Sequence, residues 1–233
     1  GRRRMDAQLG GTRSRQRRNA GRSRGADHQR SARRCGDCVM PCAGEKGGGA
    51  SALAGAIGAA LGGMVTNLTI GKKRYADVEE EMTDWREQLE SLRREFVRLA
   101  KADEEVFAPL AACYSLPYGT EEEKKTKDRL MEENLLAASL VPISIMEKSM
   151  EALEILEELC EKGSRMAVSD VGVGVQLIRA ALLGAVMNVY INTKSMKDRK
   201  KADELNTYAD QMVEKGSCLA DAIYHKVRQG LKA

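Results

Sequence analysis

Residues 170–196 read DVGVGVQLIRAALLGAVMNVYINTKSM, and this stretch decides the fold. It is apolar almost throughout, which predicts a helix at the centre of a bundle. Ser169, directly before it, is typical of a helix N-cap. Asn188 and Asn192 would then lie on neighbouring turns of one face of that helix.

The sequence on both sides of this helix is also helical. A turn signal at 116–119 and a capping box at Thr120 and Glu123 separate two amphipathic stretches. A kink or break is expected before Pro142, and Gly163 ends the following helix. The predicted helices cover 51–70, 77–115, 120–139, 143–161, 170–196 and 200–230. We therefore predict an all-α protein, a multihelical up-and-down bundle of six or seven helices.

Composition excludes the common β folds. Aromatic residues make up 4% of the chain and prolines number 4, whereas sandwiches and barrels need aromatic and β-branched strands separated by turns. Residues 51–70 form an uncharged run of 20 residues, long enough to span a membrane. Only seven of these are Leu, Ile, Val or Met, so a buried helix is favoured and no membrane association is expected.

Charge divides the chain after residue 46. The net charge is +4 overall, but it is +9 for residues 1–46 and −5 for residues 47–233. The first segment has one Leu, one Val and no aromatic residue or Ile, so disorder is expected there. Its basic start lacks an apolar signal-peptide core, and a cytoplasmic location is expected.

Three interpretations of residues 1–46 stay open. The segment could be a basic arm for nucleic acid, or it could hold zinc through His28, Cys35, Cys38 and Cys42. The third interpretation is a segment outside the native reading frame, which is favoured because Arg, Gly and Ala dominate without periodicity. Neither a nucleic-acid partner nor a metal is therefore expected.

Several polar residues interrupt apolar stretches of the second domain, residues 47–233. No metal cluster, P-loop, dinucleotide fingerprint or nucleophile elbow is present in this sequence. The candidates are Asp103, Ser169, Asp170, Asn188 and Asn192, with Gly47, Gly48 and Gly49 ahead of the first helix and Lys72, Lys73 and Arg74 after it. Each also has a structural interpretation as a cap, an interhelical hydrogen bond, a linker or a solvated charge.

Three segments together resemble one known family. They are residues 47–82, beginning GGGASALAGAIGAALGGMVTNLTI, residues 101–107, KADEEVF, and residues 167–198, beginning AVSDVGVGVQLIRAALLGAVMNVYIN. In this order and spacing they resemble the formiminotetrahydrofolate cyclodeaminase / methenyltetrahydrofolate cyclohydrolase family. The resemblance extends from residue 47 to about residue 228. It implies an all-helical homodimer that acts on a tetrahydrofolate derivative without a metal or other cofactor.

The resemblance also assigns residues to the site. The glycine-rich loop of the family maps to Gly47–Gly49, its D-x-x-x-F acid to Asp103, its S-D-x-G-V motif to Ser169 and Asp170, and its N-V-x-I-N motif to Asn188 and Asn192. Family members carry Pro and a further Gly ahead of the loop, where this chain has Glu45 and Lys46. The agreement therefore begins abruptly at Gly47.

The chemistry of the substrate implied by the resemblance suggests roles for these residues. In 5,10-methenyltetrahydrofolate the positive charge is spread over N5, the bridging carbon and N10, and a nearby carboxylate stabilises it. Two carboxyls could divide acid and base work, with Asp170 expected nearest the one-carbon centre and Asp103 as second acid/base or pterin anchor. Asn188 and Asn192 would bind the pterin or fix a carboxylate. The glycine amides would bind an anionic or carbonyl group, and Lys72–Arg74 the carboxylates of the glutamate tail.

Two reactions and one non-catalytic role stay open. Hydrolysis of 5,10-methenyltetrahydrofolate to 10-formyltetrahydrofolate is preferred, because the given sequence carries no formiminotransferase domain. The alternatives are ammonia-releasing cyclisation of 5-formiminotetrahydrofolate and, more remotely, a helical folate-binding protein without activity. The expected partners are a folate, with or without a polyglutamate tail, and a second copy of the chain.

Overall fold

The computed structural model describes residues 47–232, so the predictions for residues 1–46, including the zinc ligands, lie outside the described residues. The described chain forms five α-helices: α1 Gly47–Asn67, α2 Glu79–Tyr114, α3 Glu121–Lys162, α4 Val168–Ser195 and α5 Arg199–Gly230. Short 3-10 turns at Lys73–Val78 and Arg165–Ala167 precede α2 and α4. Residues 47–232 contain no strand, and the all-α prediction is confirmed.

Both internal prolines lie within continuous helices. α2 continues past Pro109 as predicted, but α3 also continues past Pro142, so the predicted break before Pro142 is wrong. Pro142 is buried, and its neighbours Ile143 and Met146 are at most 5% exposed. Their packing outweighs the loss of one backbone hydrogen bond. The two helices predicted on either side of Pro142 are therefore one, and the bundle has five α-helices within residues 47–232 rather than six or seven.

The N-terminus of α3 forms as the sequence predicts. The Thr120 hydroxyl accepts from the Glu123 backbone N–H at 3.2 Å, and the Glu123 carboxylate accepts from the Thr120 N–H at 2.9 Å. The backbone N–H groups of Thr120 and Gly119 both donate to the Glu123 carboxylate and hold its pKa below the usual value. The capping box thus fixes where α3 begins after the turn that ends α2.

α1 and α4 are antiparallel neighbours. Gly47 at the start of α1 lies beside Asn188 late in α4, whereas Gly58 lies beside Gly174 early in α4. The two backbones touch at the second pair, because a Cβ on Gly58 would lie 2.9 Å from the Gly174 carbonyl oxygen. The start of α1 therefore belongs to the end of the bundle that holds Asn188. The start of α4 belongs to the opposite end.

α2 packs antiparallel on another side of α1. Gly48 lies beside Asp103, and Gly55 lies against the fully buried ring of Phe96. The chain reverses direction at each short connection, which gives the up-and-down bundle. The apolar core between the helices includes Met82, Leu89, Phe96, Ile145, Leu153, Leu156 and Ile178.

Two helical stretches, Gly47–Asn67 and Arg165–Ser195, are long and apolar enough by composition to cross a membrane. Within the bundle, 56% of the apolar window of the first and 50% of that of the second are buried. Core helices of a soluble protein pass the same test of length and composition. The remaining residues of each window are partly or fully exposed.

We predict that Gly55→Ala lowers the free energy of unfolding by about 1–3 kcal/mol through overpacking. A Cβ at this position would lie 2.6 Å from Phe96 Cε1, and the ring is fully buried. A Cβ on Gly63 in the same helix would meet no atom within 4 Å. Gly63→Ala should therefore stabilise the protein by up to about 1 kcal/mol. Urea unfolding followed by circular dichroism measures both variants. Equal stability of the two would contradict the packing of α1 on α2.

Candidate active site

A buried carboxylate lies at one end of the bundle. Asp103 on α2 is 7% exposed, and its Oδ2 accepts a 3.0 Å hydrogen bond from the backbone N–H of Gly49. Gly49 lies in the first turn of α1, where backbone amides have no intrahelical acceptor and the helix dipole is positive. This arrangement stabilises a negative charge on Asp103 and fixes the direction in which the carboxylate points.

The glycines of α1 make room for this carboxylate. A Cβ on Gly48 would lie 2.6 Å from the Asp103 Cγ, closer than non-bonded carbon atoms approach. Gly47–Gly49 form the first turn of α1 itself, so the prediction that they precede the first helix is wrong. The physical reason is that the amides of a first helical turn already present their N–H groups to an anion, without a separate loop.

Asn188 of α4 and Ser51 of α1 also lie at this end of the bundle, next to Gly47. Asn188 lies beside Gly47 and donates its side-chain N–H to the Gly184 carbonyl at 3.1 Å. Ser51 donates its hydroxyl to the Gly47 carbonyl at 2.7 Å and packs against Gly184. Ser51 was not among the predicted site residues. A lone hydroxyl one helical turn after Gly47, in an otherwise small and apolar run, is the signal that could have identified it.

A cavity of about 230 Å³ lies beside the carboxylate. Its lining residues are Gly49, Leu53, Val97, Ala100, Lys101, Asp103 and Glu104. Small-molecule sites usually have about 300–1,000 Å³, so this cavity accommodates only part of a folate-sized ligand. Among residues 47–232, no group of three or more His, Cys, Asp or Glu side chains is placed to hold a metal ion.

Asn192 has a structural partner on another helix. Its side-chain N–H donates to the Ala138 carbonyl of α3 at 2.8 Å. The hydrogen bond ties α4 to α3 one turn beyond Asn188. Of the two predicted asparagines, the structure therefore brings Asn188 to the glycines and gives Asn192 an interhelical hydrogen bond.

Asp170 lies at the opposite end of α4 from Asn188. The two positions are about five helical turns, or about 27 Å, apart, so Asp170 and Asp103 do not meet within one chain. α4 begins at Val168 with Ala167 as its N-cap residue and no side-chain cap, so the predicted Ser169 N-cap is wrong. The preceding 3-10 turn already starts the helix before Ser169. Ser169 therefore does not act as a helix cap.

The basic segment Lys72–Arg74 is exposed and lies near the start of α4. Lys72 donates from Nζ to the Ser164 hydroxyl at 3.4 Å, and the backbone N–H of Arg165 donates to the Tyr75 hydroxyl at 3.2 Å. The hydrogen bond from Arg165 holds the pKa of Tyr75 below its usual value. The predicted residues thus form two groups, one at each end of the bundle.

Comparison with known proteins identifies the class to which this helical bundle belongs. A profile of the family described as Formiminotransferase-cyclodeaminase matches residues 43–211. A protein named methenyltetrahydrofolate cyclohydrolase from Methylorubrum extorquens is 38% identical over 182 residues, which cover 78% of this chain and 88% of that protein. The chain belongs to the formiminotransferase-cyclodeaminase family, and the resemblance based on its three sequence segments is confirmed.

Two further relatives extend the comparison. The structure of a protein named formiminotetrahydrofolate cyclodeaminase from Thermotoga maritima superposes with a TM-score of 0.67 at 28% identity, covering 81% of this chain and 88% of that one. The formimidoyltransferase-cyclodeaminase of Gallus gallus is 31% identical over 183 residues. This alignment covers 77% of the chain but 34% of that relative, so the chain spans about a third of the length of the chicken protein. Members of this family are enzymes.

We predict that Gly48→Ala lowers kcat on 5,10-methenyltetrahydrofolate by about 100-fold, because displacement of a reacting group by about 1 Å costs that much. The added methyl group must push the Asp103 carboxylate from its place. Gly63→Ala, which adds the same methyl group to open space on the same helix, serves as the matched control. Equal rates for the two variants would contradict a role for the carboxylate position.

Proposed function

We propose that this protein hydrolyses 5,10-methenyltetrahydrofolate to 10-formyltetrahydrofolate. The observation that carries the proposal is the buried Asp103 carboxylate, held by the Gly49 amide at the wall of a cavity. The M. extorquens relative, which bears the name of this activity and aligns over 88% of its length, supports hydrolysis among the reactions of the family. The proposal includes no metal or organic cofactor, a cytoplasmic location and a homodimer.

The reaction needs a carboxylate for two reasons. The substrate is a cation whose charge is shared by N5, the bridging carbon and N10, and a fixed anion in a poorly hydrated site stabilises it. A base must also take a proton from the attacking water, whose oxygen then bonds to the bridging carbon. The bond from that carbon to N5 breaks, N5 receives a proton, and the formyl group stays on N10. One proton is released overall.

The remaining candidate residues complete the proposal. Asp170 is proposed to act closest to the one-carbon centre, with Asp103 as second acid/base or pterin anchor. Because the two aspartates do not meet within one chain, this assignment requires that they come from different copies of the proposed homodimer. Asn188 is placed beside Gly47, where its amide can accept and donate hydrogen bonds to a pterin edge. Lys72–Arg74 offer three cations to the carboxylates of a glutamate tail, including a polyglutamate tail.

The alternative to hydrolysis is the cyclodeaminase reaction. The T. maritima structure and the chicken relative both carry cyclodeaminase in their names. Cyclisation of 5-formiminotetrahydrofolate forms the same methenyl cation and releases ammonia, so the same carboxylate would stabilise it. Folate binding without turnover is the non-catalytic alternative.

Asp103→Asn is expected to lower kcat on 5,10-methenyltetrahydrofolate by about 10²–10⁴-fold, the usual contribution of a general base or acid. The amide keeps an oxygen that can accept from the Gly49 N–H, so the helical circular dichroism should stay unchanged. Loss of the methenyl absorbance measures hydrolysis. A variant with the wild-type rate would exclude Asp103 from the reaction.

The same preparation separates the three functions. Wild-type protein receives methenyl- and formimino-tetrahydrofolate in parallel, and ammonia is measured together with absorbance. Loss of the methenyl chromophore without ammonia supports the hydrolase. Ammonia release from the formimino substrate identifies the cyclodeaminase, and folate binding without either reaction identifies a binding protein.

A further inference from the structure

An apolar groove lies between the start of α4 and the end of α5, and we call it the α4/α5 groove. Its volume is about 570 Å³, within the range of about 300–1,000 Å³ that is usual for small-molecule sites. Its apolar lining consists of Val173 and Leu177 of α4 and Tyr224, Val227 and Leu231 of α5. Val173, Tyr224 and Leu231 are each at least 38% exposed, so a ligand can reach the groove from solvent.

A close helix contact forms the floor of the α4/α5 groove. A Cβ on Gly172 would lie 3.0 Å from Val227 Cγ1, so α4 and α5 touch here without a side chain from α4. The absence of a side chain at Gly172 leaves depth above this contact. Helices in contact have axes about 8–10 Å apart, a distance that a benzoyl group and its amide bond can bridge.

The α5 wall of the groove carries two cations. Arg228 and Lys232 both line it, and no acidic residue is among the lining residues that the structure describes. Within residues 47–232, neither of these side chains forms an ion pair. Ser169 and Gln176 add hydrogen-bonding groups on the α4 wall. The α5 wall is therefore suited to a ligand that carries carboxylates.

The α4 wall ends at a carboxylate. Asp170 and the lining residue Leu177 are about two helical turns apart and therefore on the same side of α4. Asp170 is half-buried at this edge. The order across the groove is thus an acid on α4, apolar side chains in the middle and two cations on α5.

The proposed substrate has the complementary order of groups. Its one-carbon centre is cationic, the p-aminobenzoyl ring follows on N10, and the glutamate carboxylates come last. An aromatic ring gains from apolar burial and from packing against a tyrosine. A cation beside Asp170 and carboxylates beside Arg228 and Lys232 would match the charges on both walls.

We propose that the α4/α5 groove binds the p-aminobenzoyl-glutamate arm of the substrate. The ring packs against Val173 and Tyr224, and Arg228 and Lys232 bind the carboxylates of the first glutamate. The Lys72–Arg74 segment lies near the start of α4, since Lys72 donates to Ser164, and it is left to the further glutamates of a polyglutamate tail. This inference rests on the proposed function.

Charge removal combined with a truncated substrate tests the two cations. Arg228→Gln/Lys232→Gln should raise KM for 5,10-methenyltetrahydrofolate about 10-fold at unchanged kcat, because the lost hydrogen bonds stabilise ground state and transition state alike. With 5,10-methenyltetrahydropteroate, which lacks the glutamate, wild-type protein should already show the high KM, and the double variant should not raise it further. Arg129→Gln, on the exposed surface of α3, is the matched control and should leave both KM values unchanged.

Binding of p-aminobenzoylglutamate itself tests the aromatic part of the groove. Tyr224→Ala should raise the Kd of this fragment about 5-fold, because the contact between two aromatic rings is lost. Ligand-observed NMR titration measures the Kd, and circular dichroism checks the fold. Tyr208→Ala, on the same helix at a position 45% exposed, is the control and should bind the fragment as the wild type does.

The outcomes separate the groove from the proposed function. Equal KM values for the double variant and a wild-type protein that hydrolyses the substrate would overturn the groove alone. Wild-type protein that fails to bind the fragment would overturn it as well. A protein without hydrolase activity whose fragment affinity falls in Tyr224→Ala would support the groove and overturn the proposed function. A Tyr224→Ala monomer beside a dimeric wild type, by light scattering, would assign the groove to a second copy and overturn the proposal.

Discussion

The close contact of α1 with its two neighbours is the constraint on which the rest of the structure depends. Gly55 of α1 meets the Phe96 ring of α2 on one side, and Gly58 meets Ile178 and the Gly174 carbonyl of α4 on the other. The short distance between α1 and α2 brings the Gly49 amide within hydrogen-bonding reach of Asp103. The antiparallel contact with α4 brings Gly47 to Asn188. Helix packing and site geometry thus have the same cause.

Burial of Asp103 illustrates how a stable fold accommodates a reactive group. A carboxylate that is 7% exposed loses most of its hydration, which destabilises the folded protein unless polar groups compensate. The Gly49 N–H and the positive end of the α1 dipole provide part of this compensation.

Sequence patterns predict the helices better than they predict the site. Apolar periodicity and the Thr120 capping box located the helices, because both signals are local. The continuity of α3 through Pro142 depends on tertiary packing, which no local signal carries. The motif resemblance selected Asp103 and Asp170 together, but their separation follows from the antiparallel order of α1, α2 and α4. Asn192 shows the same limit, since its partner is a carbonyl on α3.

The glycine content of α1 makes this helix dependent on its neighbours. α1 contains Gly47, Gly48, Gly49, Gly55, Gly58, Gly62 and Gly63, and each glycine weakens an isolated helix by up to about 1 kcal/mol relative to alanine. α2, α3 and α5 carry the better helix formers, whereas α1 depends on packing against α2 and α4 for its helical structure. Since the first turn of α1 holds the Asp103 carboxylate in place, the candidate active site exists only while α1 is packed on α2.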